Sequence, residues 1–112
     1  MRLFFSFFLS LFTVFSLSNF LVFSEEIDLD AGEQIFSQNC TACHAGGKNS
    51  VNPAKTLQLE DLSKYSKDTI EAIVNQINNG AGPMPAFAGR LSDDEISNVA
   101  NYVLNQAKNN SW

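Results

Sequence analysis

Both cysteines and the single histidine of the chain fall together, in Cys40-Thr41-Ala42-Cys43-His44. This is C-x-x-C-H, the pattern by which a chain attaches c-type haem. The spacing has a physical reason. Residues three apart on a helical turn share a face, so both sulfurs can reach the two vinyl groups on one porphyrin edge. The next residue, His44, then brings its imidazole under the ring, aimed at the iron. Other chemistries suit these residues less well. A thioredoxin-like pair needs a βαβ context, and no window of this sequence alternates with period two. Tetrahedral zinc needs a fourth good ligand, and no further Cys or His exists. A disulfide across so short a loop adds little stability.

With His44 on one side of the iron, the other axial position is open to Met84, to water, or to an oxygen or amine donor. Taken alone, a methionine is more often a core filler. The setting of Met84 argues otherwise. In Gly80-Ala81-Gly82-Pro83-Met84-Pro85-Ala86-Phe87 it stands between two prolines. Each proline fixes its own φ, and Pro85 pushes Met84 out of the helical region. A stiff extended loop presenting one soft thioether is what an iron ligand needs. Thioether ligation and a buried ring both favour ferrous iron and raise the potential. Two strong protein ligands leave no vacant site for oxygen or peroxide. Such chemistry is that of an electron carrier and not of an enzyme.

The elements that must position these groups read as helices. The first starts near Asp30, with Glu33 completing a capping box, and runs through Ile35 and Phe36 to the cysteines. The second carries Ile70, Ile73, Val74 and Ile77 at helical spacing and ends at Gly80. The third opens on a Ser92/Glu95 capping box and bears one apolar stripe, Ile96, Val99, Ala100, Val103, Leu104 and Ala107. A shorter helix is predicted near 59–65, and two loops span 45–56 and 78–89. The fold expected is all-α, about four helices wrapped around one haem, and the second hydrogen-bond partner of His44 is expected to be a backbone carbonyl near Asn52 or Pro53.

Composition divides the chain in two. Of ten Phe, eight lie within the first 23 residues. Met1-Arg2, a long apolar run and Ser24 before Glu25-Glu26 form the pattern of an export signal, predicted to be cleaved so that 1–24 is a signal peptide and 25–112 the haem domain. A retained anchor is the competing reading, since the run is long enough to span a bilayer. The remainder keeps all twelve acidic residues against six basic ones, a balance that argues against nucleic acid and anionic membrane surfaces. It is short of core material and would gain from a buried cofactor.

These residues together resemble class I cytochromes c, most closely the cytochrome c6 family of algae and cyanobacteria. The resemblance is carried by Asp28-Leu29-Asp30-Ala31-Gly32-Glu33-Gln34-Ile35-Phe36, by 40–47 and 53–57, by Met84-Pro85-Ala86-Phe87 with Gly89-Arg90-Leu91, and by Asn101-Tyr102-Val103-Leu104 and Trp112. It implies a monomeric carrier in the thylakoid lumen, with one covalent haem c, that takes electrons from cytochrome f of the cytochrome b6f complex to photosystem I. It also implies that the first and last helices cross at Gly32 and Phe36 against Tyr102. By the same resemblance Gln76 lies beside the haem and the methionine ligand, Arg90 near the haem edge where photosystem I docks, and Lys55 close to the propionates. A plant-type branch carries two further cysteines, which this chain lacks. Three other readings share parts of this pattern: a periplasmic respiratory cytochrome c, a membrane-anchored carrier, and a haem enzyme or gas sensor with an open distal side.

Overall fold

The computed structural model describes residues 26–112; the expected signal peptide, 1–24, lies outside them. Helix α1 spans Leu29–Asn39. Its cap is Asp28, whose carboxylate accepts from the Ala31 N–H at 3.0 Å, and not Asp30. Asp28 is extended, as a cap must be, which leaves Asp30 in the first turn, where a negative charge meets the helix dipole favourably. The Asp28 N–H donates to the Asn98 side chain at 3.1 Å, so the start of α1 is tied across the molecule.

Helix α2 is the single turn Thr41–His44, followed by a 3-10 turn, Ala45–Gly47. Helix α3 spans Leu59–Lys64 and α4 Ile70–Asn79, and α5 is the long one, Asp93–Asn109. Thr69 caps α4 through the Ala72 N–H, and Gly80 ends it. The Ser92/Glu95 box at the start of α5 has both reciprocal bonds, 3.2 and 2.9 Å. Among the described residues there are no strands, only isolated bridges joining Ala81 to Met84 and Ala88 to Leu91.

The core forms where α1 and α4 pack on α5. Ile35 and Phe36 from α1, Ile73 and Ile77 from α4, and the whole apolar stripe of α5 are buried, with Phe87 from the following loop. Burial of a side chain such as Ile96 or Val99 contributes about 2 kcal/mol each. The α1–α5 crossing is set by Gly32. A Cβ there would stand 2.3 Å from the Asn98 carbonyl oxygen and 2.9 Å from the Tyr102 Cβ, so only glycine permits this approach. One turn later Phe36 meets Tyr102 edge to face, with centroids 5.5 Å apart. The expected crossing of Gly32 and Phe36 against Tyr102 is therefore present.

Helix α3 is fastened to the preceding loop by Asp61. Its carboxylate accepts from the Thr56 hydroxyl and, at 3.1 Å, from the Thr56 N–H. These two bonds, hydroxyl first, hold the Asp61 carboxyl below its ordinary range, with a smaller contribution from Lys64. A depressed folded value means that this stabilisation is present above the ordinary carboxylate pKa of about 4 and is lost as pH falls through the lowered value. Asp61→Asn is expected to lower Tm at neutral pH by a gap that closes on acidification. A gap that stays constant through the acid range would reject this role.

Candidate haem site

The C-x-x-C-H segment leaves the end of α1 without a break. The Cys40 N–H still donates to the Phe36 carbonyl at 2.8 Å, and Cys43 and His44 donate to the Cys40 carbonyl at 3.2 and 2.9 Å. The Thr41 hydroxyl bonds back to Ser37 at 2.9 Å. The two cysteines and the histidine therefore share one tight turn whose orientation is inherited from α1. Both thiols are free. Cys40 is half-buried against the core, and burial pushes its thiol up to about 11, whereas Cys43 is exposed.

His44 is half-buried, and its Nδ1 lies 2.9 Å from the Lys48 carbonyl oxygen. A carbonyl only accepts, so Nδ1 carries the proton and the Nε2 lone pair is left for a metal. The partner is Lys48, and not a carbonyl near Asn52 or Pro53. The reason is the turn Ala45–Gly47, where Gly46 and Gly47 both take positive φ and fold the chain back toward the His44 imidazole at once.

Met84 is presented by a tight hairpin. The Ala81 N–H donates to the Met84 carbonyl at 3.1 Å and the Met84 N–H to the Ala81 carbonyl at 3.0 Å. Beyond it, the Phe87 and Ala88 N–H groups bond to the Ile77 and Asn78 carbonyls, which staples the loop to the end of α4. Buried Phe87 anchors it in the core. Met84 itself is half-buried. The Gln76 amide, reaching out from α4, donates toward its Sδ at 3.6 Å. Gln76 and Met84 are thus brought together, while Arg90 and Lys55 are not gathered with them. The Arg90 guanidinium lies over the Phe87 ring at 4.9 Å. The Lys55 ammonium stands 5.0 Å from the Tyr65 ring, which Lys64 also approaches at 5.6 Å.

The residues fit a haem. Cys40, Leu57, Ile70, Val74, Met84 and Leu91 border the core as half-buried apolar groups, a surface suited to a flat apolar ring. Among the described residues no buried side-chain polar atom lacks a partner. Zinc fits poorly, because no three His, Cys, Asp or Glu side chains of the described residues converge on one point. Two contributors carried little sequence signal. The Lys48 acceptor is a backbone carbonyl, hinted at only by Gly46-Gly47. The other is Gly80, whose Cβ would stand 2.4 Å from the Met84 carbonyl oxygen.

A family model described as "Cytochrome C oxidase, cbb3-type, subunit III" matches residues 27–103, a stretch that includes the C-x-x-C-H turn and the Met84 hairpin. Cytochrome c6 of Gracilaria tenuistipitata var. liui is 54% identical over 109 residues, covering 97% of this chain and 98% of that protein. Cytochrome c6 of Microcystis aeruginosa is 64% identical over 77 residues, 69% of this chain and 95% of that one. The crystal structure of cytochrome c6 from the diatom Phaeodactylum tricornutum superposes with a TM-score of 0.72 at 54% identity, covering 73% of this chain and 97% of that chain. Helix order, the C-x-x-C-H turn and these likenesses agree: the chain has the class I cytochrome c fold and belongs to the cytochrome c6 family, electron-transfer proteins, not enzymes, that bind one covalent haem c.

Proposed function

We propose that this chain is a lumenal shuttle that accepts electrons from cytochrome f of the cytochrome b6f complex and delivers them to photosystem I. That it is an electron carrier working with redox partners follows from its family; the two partners and the thylakoid lumen are the finer reading. In this reading Cys40 and Cys43 form the thioethers, His44 and Met84 are the axial ligands, and residues 1–24 are removed on export. The Met84 hairpin is the observation that carries it. A thioether held between two prolines and approached by the Gln76 amide at 3.6 Å supports the reading of Met84 as a ligand and not as core filling.

Haem, when bound, supplies the one-electron iron couple. The chain supplies everything that makes the couple useful. Soft thioether donation from Met84 favours the ferrous state, and the Gln76 N–H, drawing on the same sulfur, tunes that preference. The Lys48 carbonyl keeps the proton on Nδ1 of His44, which keeps Nε2 a donor in both oxidation states. Two ligands fixed by short turns need not move as an electron passes. The Arg90 guanidinium, exposed over Phe87, is a charge for docking on an acidic partner. Lys55, held at Tyr65, lies in the loop that also carries Lys48. No described helix is long and apolar enough to cross a membrane, which accords with a carrier that diffuses once its leader is removed.

Flash-induced single-turnover kinetics test the proposal. The reduced protein should re-reduce photo-oxidised photosystem I in a second-order reaction that depends on ionic strength. A reaction no faster than with an unrelated cytochrome of equal potential would sink it. An open distal side is tested separately: the ferric protein at neutral pH should show the far-red methionine-to-iron band and should not bind cyanide rapidly.

A further inference from the structure

The indole of Trp112 joins the α1–α5 crossing to the loop behind His44. On one side it lies 5.3 Å from the Phe36 ring and meets Tyr102 edge-on at 6.1 Å. On the other it fills the space a Cβ on Gly47 would need, with its Cγ 2.4 Å from that point. Its Nε1–H donates to the Leu57 carbonyl at 3.1 Å. Gly47 and Leu57 are the two ends of the loop, and the Leu57 N–H closes it on the Gly47 carbonyl at 2.8 Å. The residue after Gly47 is Lys48, whose carbonyl receives the His44 Nδ1 proton.

That carbonyl lies between two anchors: after it, the Asn49 side chain bonds within the loop and the Ser50 N–H donates to the Cys43 carbonyl at 2.9 Å; before it stands Gly47. Lys48 is exposed, and its own N–H makes only a 3.3 Å bond to Ala45. On the N-terminal side the anchor is Gly47, buried beneath the indole. We infer that Trp112 is a positioning residue for His44: by clamping the loop base from both ends, it fixes the Lys48 carbonyl on the Nδ1 proton. That bond orients the imidazole and strengthens Nε2 as a donor. The inference rests on the reading of His44 as an iron ligand.

The test is hydrogen exchange of the His44 Nδ1 proton in the ferrous holoprotein, followed by NMR in wild type, W112F and W112A. W112F keeps an aromatic ring over Gly47 but lacks the Nε1–H donor; W112A lacks both. The His44 Nδ1 proton and the Leu57 amide should exchange about five-fold faster in W112F, the factor of one ordinary hydrogen bond, and faster still in W112A. The Gly80 and Phe87 amides, which bond to α4, should keep wild-type rates. The reduction potential should rise in W112F, because a more weakly held Nδ1 proton makes the imidazole a poorer donor to ferric iron. An unchanged His44 rate in W112F, or one that accelerates only in step with Gly80 and Phe87, overturns the inference. W112F decides the matter if W112A does not fold. Failure of the underlying reading looks different: the wild-type protein itself would then lack strongly ring-shifted His44 resonances.

Discussion

Replacing Gly80 with alanine is expected to abolish or greatly weaken the proposed methionine ligation while leaving the haem covalently attached. Gly80 has φ 65° and ψ −178°, a region open essentially to glycine alone. An alanine Cβ would also stand 2.4 Å from the Met84 carbonyl oxygen and 2.8 Å from the Ala86 nitrogen. That carbonyl is half of the hairpin that presents Met84, so relief of the clash must move the ligand loop itself. The backbone conformation alone costs on the order of 1–3 kcal/mol, and the overlap adds to it. The far-red band of the ferric protein should fade, and the potential should fall as a harder donor replaces sulfur. Gly82→Ala is the control. Gly82 also has positive φ, 55°, but a Cβ there meets nothing within 4 Å. It should cost only about 1 kcal/mol and keep the band. Equal spectra for the two variants would show that the Gly80 contact does not place Met84.

The second large effect concerns folding. A Cys40→Ser, Cys43→Ser chain that cannot attach haem covalently, purified without haem, is expected to lack most of its helix by circular dichroism and to unfold without a cooperative transition. The five half-buried apolar groups that would still border the core in that chain, Leu57, Ile70, Val74, Met84 and Leu91, would each forfeit about 1 kcal/mol without an apolar cover. Their sum matches the whole stability of a small domain, roughly 5 kcal/mol. The His44 and Met84 loops would also lose the centre that draws them together. Folding and cofactor binding are in that sense one process, as in small metal-dependent domains. A haem-free chain with a sharp thermal transition and native helix content would contradict it.

Much of this molecule can be read from residue order because its chemistry is local. Cys40, Cys43 and His44 occupy one turn, so their spacing alone specifies a shared face. The Ser92/Glu95 box and the α5 stripe lie within one helix, and both appear where periodicity places them. Met84 is marked by its own neighbours, Pro83 and Pro85, whose fixed φ angles act without tertiary help. The start of α1 reads from sequence as an Asp30 cap, but Asp28, equally competent by residue type, is the cap. The choice of Asp28 is accompanied by a bond from its N–H to Asn98, seventy residues away.

What only the tertiary structure decided is which backbone and side-chain atoms meet, within a loop as well as across the molecule. No local pattern says that the His44 proton goes to Lys48 rather than to the loop near Pro53, since every carbonyl in that loop is chemically alike. Gln76 and Met84 are eight residues apart, and their meeting depends on how the hairpin folds back along α4. Trp112 reaches Leu57 across fifty-five residues. Side-chain type and short-range spacing are written in the sequence. Which backbone atom stands opposite which side chain is set by the packing of α1 on α5, where removing a single Cβ at Gly32 permits the approach on which the other contacts build.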